Sequence, residues 1–230
     1  MFPATLFDYN GVLADDEVVH LEAFRDALAP LGIAVSEHDY VERYLGFDDR
    51  GAFRAILEDN GRRPSEPEIA DLIEAKKPLY RRRAEARLPT FPGAAELVRR
   101  RALAGPVGIV SGALREEILL GLAVLGVASS VEHIVSAEDT RACKPDPEGY
   151  LLGIDFLKQR IGVEAAARAL VIEDSIAGIE AAKTAGLPCV AVAHSYDAAS
   201  LARAGADLVV ADLQALGDDQ LVATYRRLYG

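Results

Sequence analysis

A rhythm that begins near Val107 does most to narrow the folds open to this chain. Short apolar runs without polar alternation (PVGIV, EHIV, ALVIE, PCVAVA and ADLVVA) are separated by amphipathic stretches. Those stretches cover Arg115–Leu125, Asp146–Arg160, Ser175–Ala185 and Ala198–Ala204, with a further helix at the C-terminus. Strands that lack alternation have both faces covered, and the helices between them supply the cover. The pattern therefore predicts an α/β fold built on a doubly wound parallel sheet. Gly186 stands where a residue closing a helix belongs. In such sheets ligands bind beyond the carboxyl ends of the strands.

The rhythm is broken once. Between Asp16 and Arg87 every periodic stretch is helical: Asp16–Ala29, Ser36–Tyr44, Asp48–Asn60 closed by Gly61, and Pro67–Arg87 with a kink expected at Pro78. A helical block set directly behind the first apolar run, which ends at Phe7, is an insertion, and the chain returns to the sheet near Leu88–Pro92. The expected division is residues 1–15 and 88–230 as the sheet domain and 16–87 as an all-helical cap domain. Arginine runs at 81–83 and 99–101 read as solvated helix surface.

Composition removes several functions. Half of the 230 residues are hydrophobic and 27% are charged, as in ordinary globular proteins. A net charge of -11 argues against nucleic acid as a partner, because binding a phosphate backbone needs a basic surface. Cys143 and Cys189 are too few for a disulfide framework and lack metal-ligand spacing, which fits a reducing compartment. The N-terminus has no basic stretch followed by an apolar core, and no apolar run approaches the ~20 residues that span a bilayer. These features predict a soluble, cytoplasmic protein with no membrane contact.

The strand ends carry the chemistry. The first delivers Asp8 and Asn10, the second Ser111 and Gly112. Lys144 follows the third, and ALVIEDSIAG delivers Glu173, Asp174 and Ser175. This set suits phosphoryl transfer. Asp8 can attack phosphorus as a carboxylate and divide the reaction into two easier steps. A phosphate dianion repels a carboxylate, so a cation must neutralise both, and Mg²⁺ held by Asp8 and Asp174 would do so, with Glu173 in an outer shell. Lys144 supplies a fixed positive charge, while the Ser111 hydroxyl and nearby amides suit the non-bridging oxygens. Gly11 and Gly112 let the main chain approach closely. A calcium loop is excluded, since Gly11 is fourth and Glu17 tenth from Asp8, where that loop needs glycine sixth and glutamate twelfth.

FDYNGVL, VSGA, CKPDPEGY and IEDSIAGIEAAKTAG match, in order and spacing, the four motifs of the haloacid dehalogenase-like superfamily. The chain resembles its helical-cap branch, which includes phosphoglycolate phosphatases and β-phosphoglucomutases. The resemblance implies Asp8 as nucleophile and Mg²⁺ bound by Asp8, the backbone carbonyl of Asn10 and Asp174. It also implies Glu173 acting through water, Lys144 and Ser111 on the phosphate, and a small phosphorylated metabolite as substrate.

One position departs from that family. Its phosphatases and mutases carry an aspartic acid as general acid and base where this chain has Asn10. A carboxamide keeps the geometry but cannot move a proton at any useful pH. Three readings follow: a substitution made to trap a complex, a natural one with Asp15 or Asp16 partly replacing the lost acid, or a natural non-catalyst that still binds phosphate and metal. The mutase reading is weakened because Ala113 and Leu114 follow the second motif with only Arg115 cationic, and because the cap loop reads GFDDR over 46–50. Arg50 and Tyr44 are candidates to reach substrate from the cap. His20 reads as a helix-surface or interdomain histidine, Ser175 as a helix N-cap beside the metal, and His194 as a strand-end residue of no chemical consequence.

Overall fold

A computed structural model describes residues 1–45 and 47–230. Gly46, the first residue of the GFDDR loop, lies outside the described residues. The sheet has six parallel strands: β1 (Thr5–Phe7), β2 (Val107–Val110), β3 (His133–Val135), β4 (Leu170–Glu173), β5 (Cys189–Val192) and β6 (Leu208–Val210). Their spatial order is β3-β2-β1-β4-β5-β6. The chain winds outward from β1 in one direction and then, from β4, in the other, so the winding reverses between β1 and β4.

The uninterrupted apolar runs have a physical cause in this arrangement. Along β1 and β4, Phe7, Leu170 and Ile172 enter one core with Ile109, while Leu6 and Val171 enter a second core on the opposite face with Val110. Helices α5 (Ala94–Ala104), α6 (Arg115–Val124) and α11 (Asp218–Tyr229) cover the first face. Helices α7 (Glu148–Ile161), α8 (Val163–Ala166), α9 (Ile176–Thr184) and α10 (Ala198–Arg203) cover the second.

The chain separates into two compact units, Met1–Asp15 with Thr90–Gly230, and Asp16–Pro89. The second contains α1 (Glu17–Leu28), the single turn α2 (Glu37–Asp39), α3 (Asp49–Asp59) and α4 (Glu66–Ala86), with its own core of Phe24, Leu28, Phe53, Ile56, Leu57 and Ile69. Pro78 lies inside α4, which continues through it. The single helix expected over Ser36–Tyr44 is instead one α turn followed by a π-helix at Tyr40–Tyr44. That register buries both Tyr40 and Tyr44 and lets their hydroxyls donate to Glu17 and Asp59, at 2.8 and 2.6 Å.

The arginine run at 99–101 is not all solvated surface. Arg101 is buried, and its guanidinium donates to Thr5 Oγ1 at 2.9 Å and to the Phe2 carbonyl at 2.8 Å. Burial lowers its pKa from the ordinary arginine value. Its two acceptors, one at the start of β1 and one just before it, lie almost a hundred residues away, so no local pattern marks it.

Candidate active site

Register places the strand ends side by side. Phe7 pairs with Ile109 of β2 and with Ile172 of β4. The residues one step further, Asp8, Val110 and Glu173, therefore leave the sheet at one level, with Ser111 and Asp174 just beyond. This edge lies at the reversal of winding, where a crevice opens in open α/β sheets.

Lys144 joins the strands. Its ammonium lies 2.9 Å from Asp8 Oδ1 and 2.6 Å from Glu173 Oε1, and it donates to the Val110 carbonyl at 3.0 Å. Five donors converge on Glu173: Lys144, the Tyr150 hydroxyl, the amides of Asp174 and Ser175, and the Ser175 hydroxyl. A carboxylate has about four lone-pair sites, so this side chain is fully engaged by protein and holds Lys144 in place. Ser175 also caps α9, accepting from the Gly178 amide at 3.0 Å.

Asp8, Glu173 and Asp174 are all buried, and each offers a carboxylate oxygen within 4.8 Å of the others. Burial raises the Asp8 pKa to about 6, with Lys144 opposing and Glu173 reinforcing. Asp174 is pushed well up by burial and by the charges of Glu173 and Asp8. Burial also raises Glu173, but Lys144 and the converging hydrogen bonds outweigh it and hold its carboxyl below the usual value. Burial works against the Lys144 ammonium, yet its two carboxylates prevail and push its pKa up. Negative charge thus exceeds positive in a buried nest of hard oxygen donors, which is the chemistry Mg²⁺ requires.

Asn10 and Ser111 meet here, with Ser111 Oγ donating to Asn10 Oδ1 at 3.3 Å. Ser111 also accepts from the Ala113 amide at 3.2 Å, and Gly112 is exposed beside it. Gly11 has φ +74°, and a Cβ there would stand 2.0 Å from Asp174 Oδ2, so only glycine lets the turn pass that carboxylate.

Two residues of this edge carry contacts that a strand-end reading of β5 leaves out. His194 Nδ1 lies 2.8 Å from the Gly11 carbonyl, and its ring stacks on Phe91 at 3.8 Å between centroids. A carbonyl only accepts, so Nδ1 carries the hydrogen. Ser195 Oγ donates to Asp174 Oδ2. The signal available for both was their place just past a predicted strand, the rule that singled out Ser111.

Arg50, Tyr44, Asp16 and His20 belong to the helical unit. Arg50 is half exposed and pairs with Glu66 at 2.5 Å. His20 is not a helix-surface residue but buried, together with Lys76 and Asp16. Lys76 Nζ lies 2.8 Å from His20 Nδ1 and 2.5 Å from Asp49 Oδ1, and the Tyr80 hydroxyl donates to Asp16 at 2.5 Å. An ammonium only donates, so His20 Nδ1 accepts and Nε2 turns its hydrogen to Asp16 at 3.2 Å. Asp15 belongs to the sheet unit and is exposed.

Known proteins share this organisation. Validoxylamine A 7'-phosphate phosphatase of Streptomyces hygroscopicus subsp. limoneus is 30% identical over 93% of this chain and 95% of its own. The crystal structure of β-phosphoglucomutase from Clostridium difficile superposes with a TM-score of 0.83 at 23% identity, over 99% of each chain. CbbY from Rhodobacter sphaeroides, solved as an aspartate-to-asparagine variant at its position 10 in complex with xylulose-(1,5)bisphosphate, superposes with a TM-score of 0.79. It is 26% identical over 94% of this chain and 97% of its own. The model of one family, haloacid dehalogenase-like hydrolase, matches residues 5–192, from β1 through the whole of β5. By that match, and by the phosphatase relative that matches 93% of its length, the chain belongs to the haloacid dehalogenase-like hydrolases.

Proposed function

We propose that the protein is a Mg²⁺-dependent phosphomonoesterase acting on a small phosphorylated metabolite in the cytoplasm, with turnover slowed by Asn10. The observation that carries this reading is the Lys144 ammonium 2.9 Å from Asp8 at the rim of a buried acidic nest. A phosphatase relative matching over 93% of this chain supports it.

Asp8 is the nucleophile. Its carboxylate attacks phosphorus, the P–O bond to the substrate alcohol breaks, and an acyl-phosphate forms on Asp8. Water then attacks that phosphorus, releasing inorganic phosphate and restoring the carboxylate. Asp8, the Asn10 carbonyl and Asp174 would hold Mg²⁺, with Glu173 behind them, and the ion would neutralise the charge shared by phosphate and nucleophile. Lys144, oriented by Glu173, and Ser111 bind the phosphoryl oxygens, and the exposed amide of Gly112 adds to them. Arg50 contacts the organic part of the substrate once it exchanges its ion pair with Glu66.

Both half-reactions need a proton moved at the alcohol or water oxygen, and Asn10 cannot do it. Of the acids nearby in sequence, Asp16 is buried and engaged by Tyr80 and His20, which leaves Asp15 as the exposed carboxylate. Arg115, the cation after the second motif, donates to the Ile134 carbonyl and to Asp139, two partners that a second phosphate would have to displace. That favours hydrolysis over mutase chemistry. The second reading, a phosphate-binding protein without turnover, is favoured by Asn10 itself and by the CbbY variant that carries asparagine with its bisphosphate bound.

The test is phosphate release from a panel of phosphorylated sugars and small acids with Mg²⁺, for the chain beside Asn10→Asp. The Asp form should be faster by about 10²–10⁴-fold, the usual contribution of a general acid–base group. EDTA should abolish release by either form. Binding of the best substrate without release from either form would replace hydrolysis by the second reading.

A further inference from the structure

Two residues just past β5 reach the acidic edge, Ser195 at Asp174 and His194 at the Gly11 carbonyl. We infer that His194 and Ser195 form a clamp that presets the Mg²⁺ donors, with Ser195 fixing which oxygen of Asp174 is presented and His194 holding the turn that carries Asn10. The inference rests on the Mg²⁺ reading above.

Each half of the clamp has its own geometry. Ser195 Oγ donates to Asp174 Oδ2, and the carboxylate lies against Gly11. With Oδ2 engaged by Ser195, the carboxylate is oriented and Oδ1 is the oxygen this hydroxyl leaves for a cation. Asp174 has a strong need for such a partner, since it is buried beside two other acids. His194 grips the same turn from behind. Its Nδ1–H reaches the Gly11 carbonyl, and its ring is locked in place by stacking on Phe91. Phe91 is itself bonded to the turn, its amide donating to the Leu13 carbonyl at 3.2 Å. The turn from Asn10 to Ala14 is thus fixed by β5 and by the returning segment together, before any ion arrives.

Partners of this kind orient a metal ligand without touching the metal, and their loss typically lowers affinity 10–100-fold. Neither side chain reaches a reacting atom, so both are positioning residues.

The experiment is calorimetric titration with Mg²⁺ of the chain, Ser195→Ala, Ser195→Thr and His194→Leu, with a metal-free melt of each. Ser195→Ala should raise the Mg²⁺ Kd about tenfold while its metal-free melt stays cooperative. Ser195→Thr keeps the hydroxyl and should restore the affinity. His194→Leu keeps the packing against Phe91 but loses the hydrogen bond, and should also weaken Mg²⁺ binding. An unchanged Kd in Ser195→Ala, or a weakening that Ser195→Thr does not rescue, overturns the clamp while leaving the Mg²⁺ site intact. Absence of Mg²⁺ binding by the unsubstituted chain overturns the metal reading and the clamp with it, and shows in the first titration.

Discussion

Asp8 illustrates how one residue can serve chemistry at a cost to the fold. Its carboxyl is raised from the ordinary 3.8 to about 6, mainly by burial. The folded chain therefore holds this proton more tightly than the unfolded chain does. The resulting stabilisation is complete below about pH 4 and is lost as pH rises through about 6. A shift of that size corresponds to something on the order of 3 kcal/mol. In metal-free buffer, stability from urea melts should fall between pH 4 and 6, and Asp8→Asn should fall less over the same range. Saturating Mg²⁺ should flatten the profile of the unsubstituted chain, because a bound cation favours the ionised carboxylate. A variant profile that falls as steeply as the parent would show that burial at Asp8 is not the cause.

At the scale of elements, the junction of β4 and α9 is the tightest part of the site. Gly178 sits in the first turn of α9, and a Cβ there would stand 1.8 Å from Glu173 Oε1. Alanine is the better helix former by about 1 kcal/mol, but the clash falls on a carboxylate already held by five donors. Gly178→Ala should therefore destabilise the fold by about 1–3 kcal/mol, the usual cost of overpacking, measured by chemical denaturation. A neutral or stabilising result would show that Glu173 can move aside. The strands of this junction were legible because buried parallel strands leave unbroken apolar runs, as in ALVIE and PCVAVA, and such runs end where polar residues begin. The burial of Arg101 and His20 was not legible, because each is fixed by partners in another element and a local pattern holds no trace of them. For His194 and Ser195 the strand end marked the place, but their contacts with Gly11 and Asp174 depend on β1 and β4 and were not legible either. The π-helix at Tyr40–Tyr44 was missed for a similar reason, since its register follows from where two tyrosine hydroxyls find carboxylates.

For the whole molecule, the two ends of the helical unit leave the sheet unit at one point. Ala14 and Thr90 form an antiparallel bridge, which brings the chain before and after the insertion into contact. Replacing residues 16–89 with a short Gly-Ser loop should leave a sheet unit that melts cooperatively and still binds Mg²⁺ by calorimetry. A product without a cooperative transition would show that the sheet depends on the helical unit for its fold. The order of the strands has a further consequence, for synthesis. β1 is made first yet lies in the middle of the sheet, with β2 a hundred residues and β4 more than a hundred and sixty residues downstream. At about 5–20 residues per second, the emerging FPATLF segment waits on the order of ten seconds or more for its second neighbour. During that wait the helical unit, all of whose residues precede β2, can already fold. The nascent chain thus carries a finished helical body behind an unpaired apolar strand, and that strand is where a ribosome-bound chaperone has most to protect.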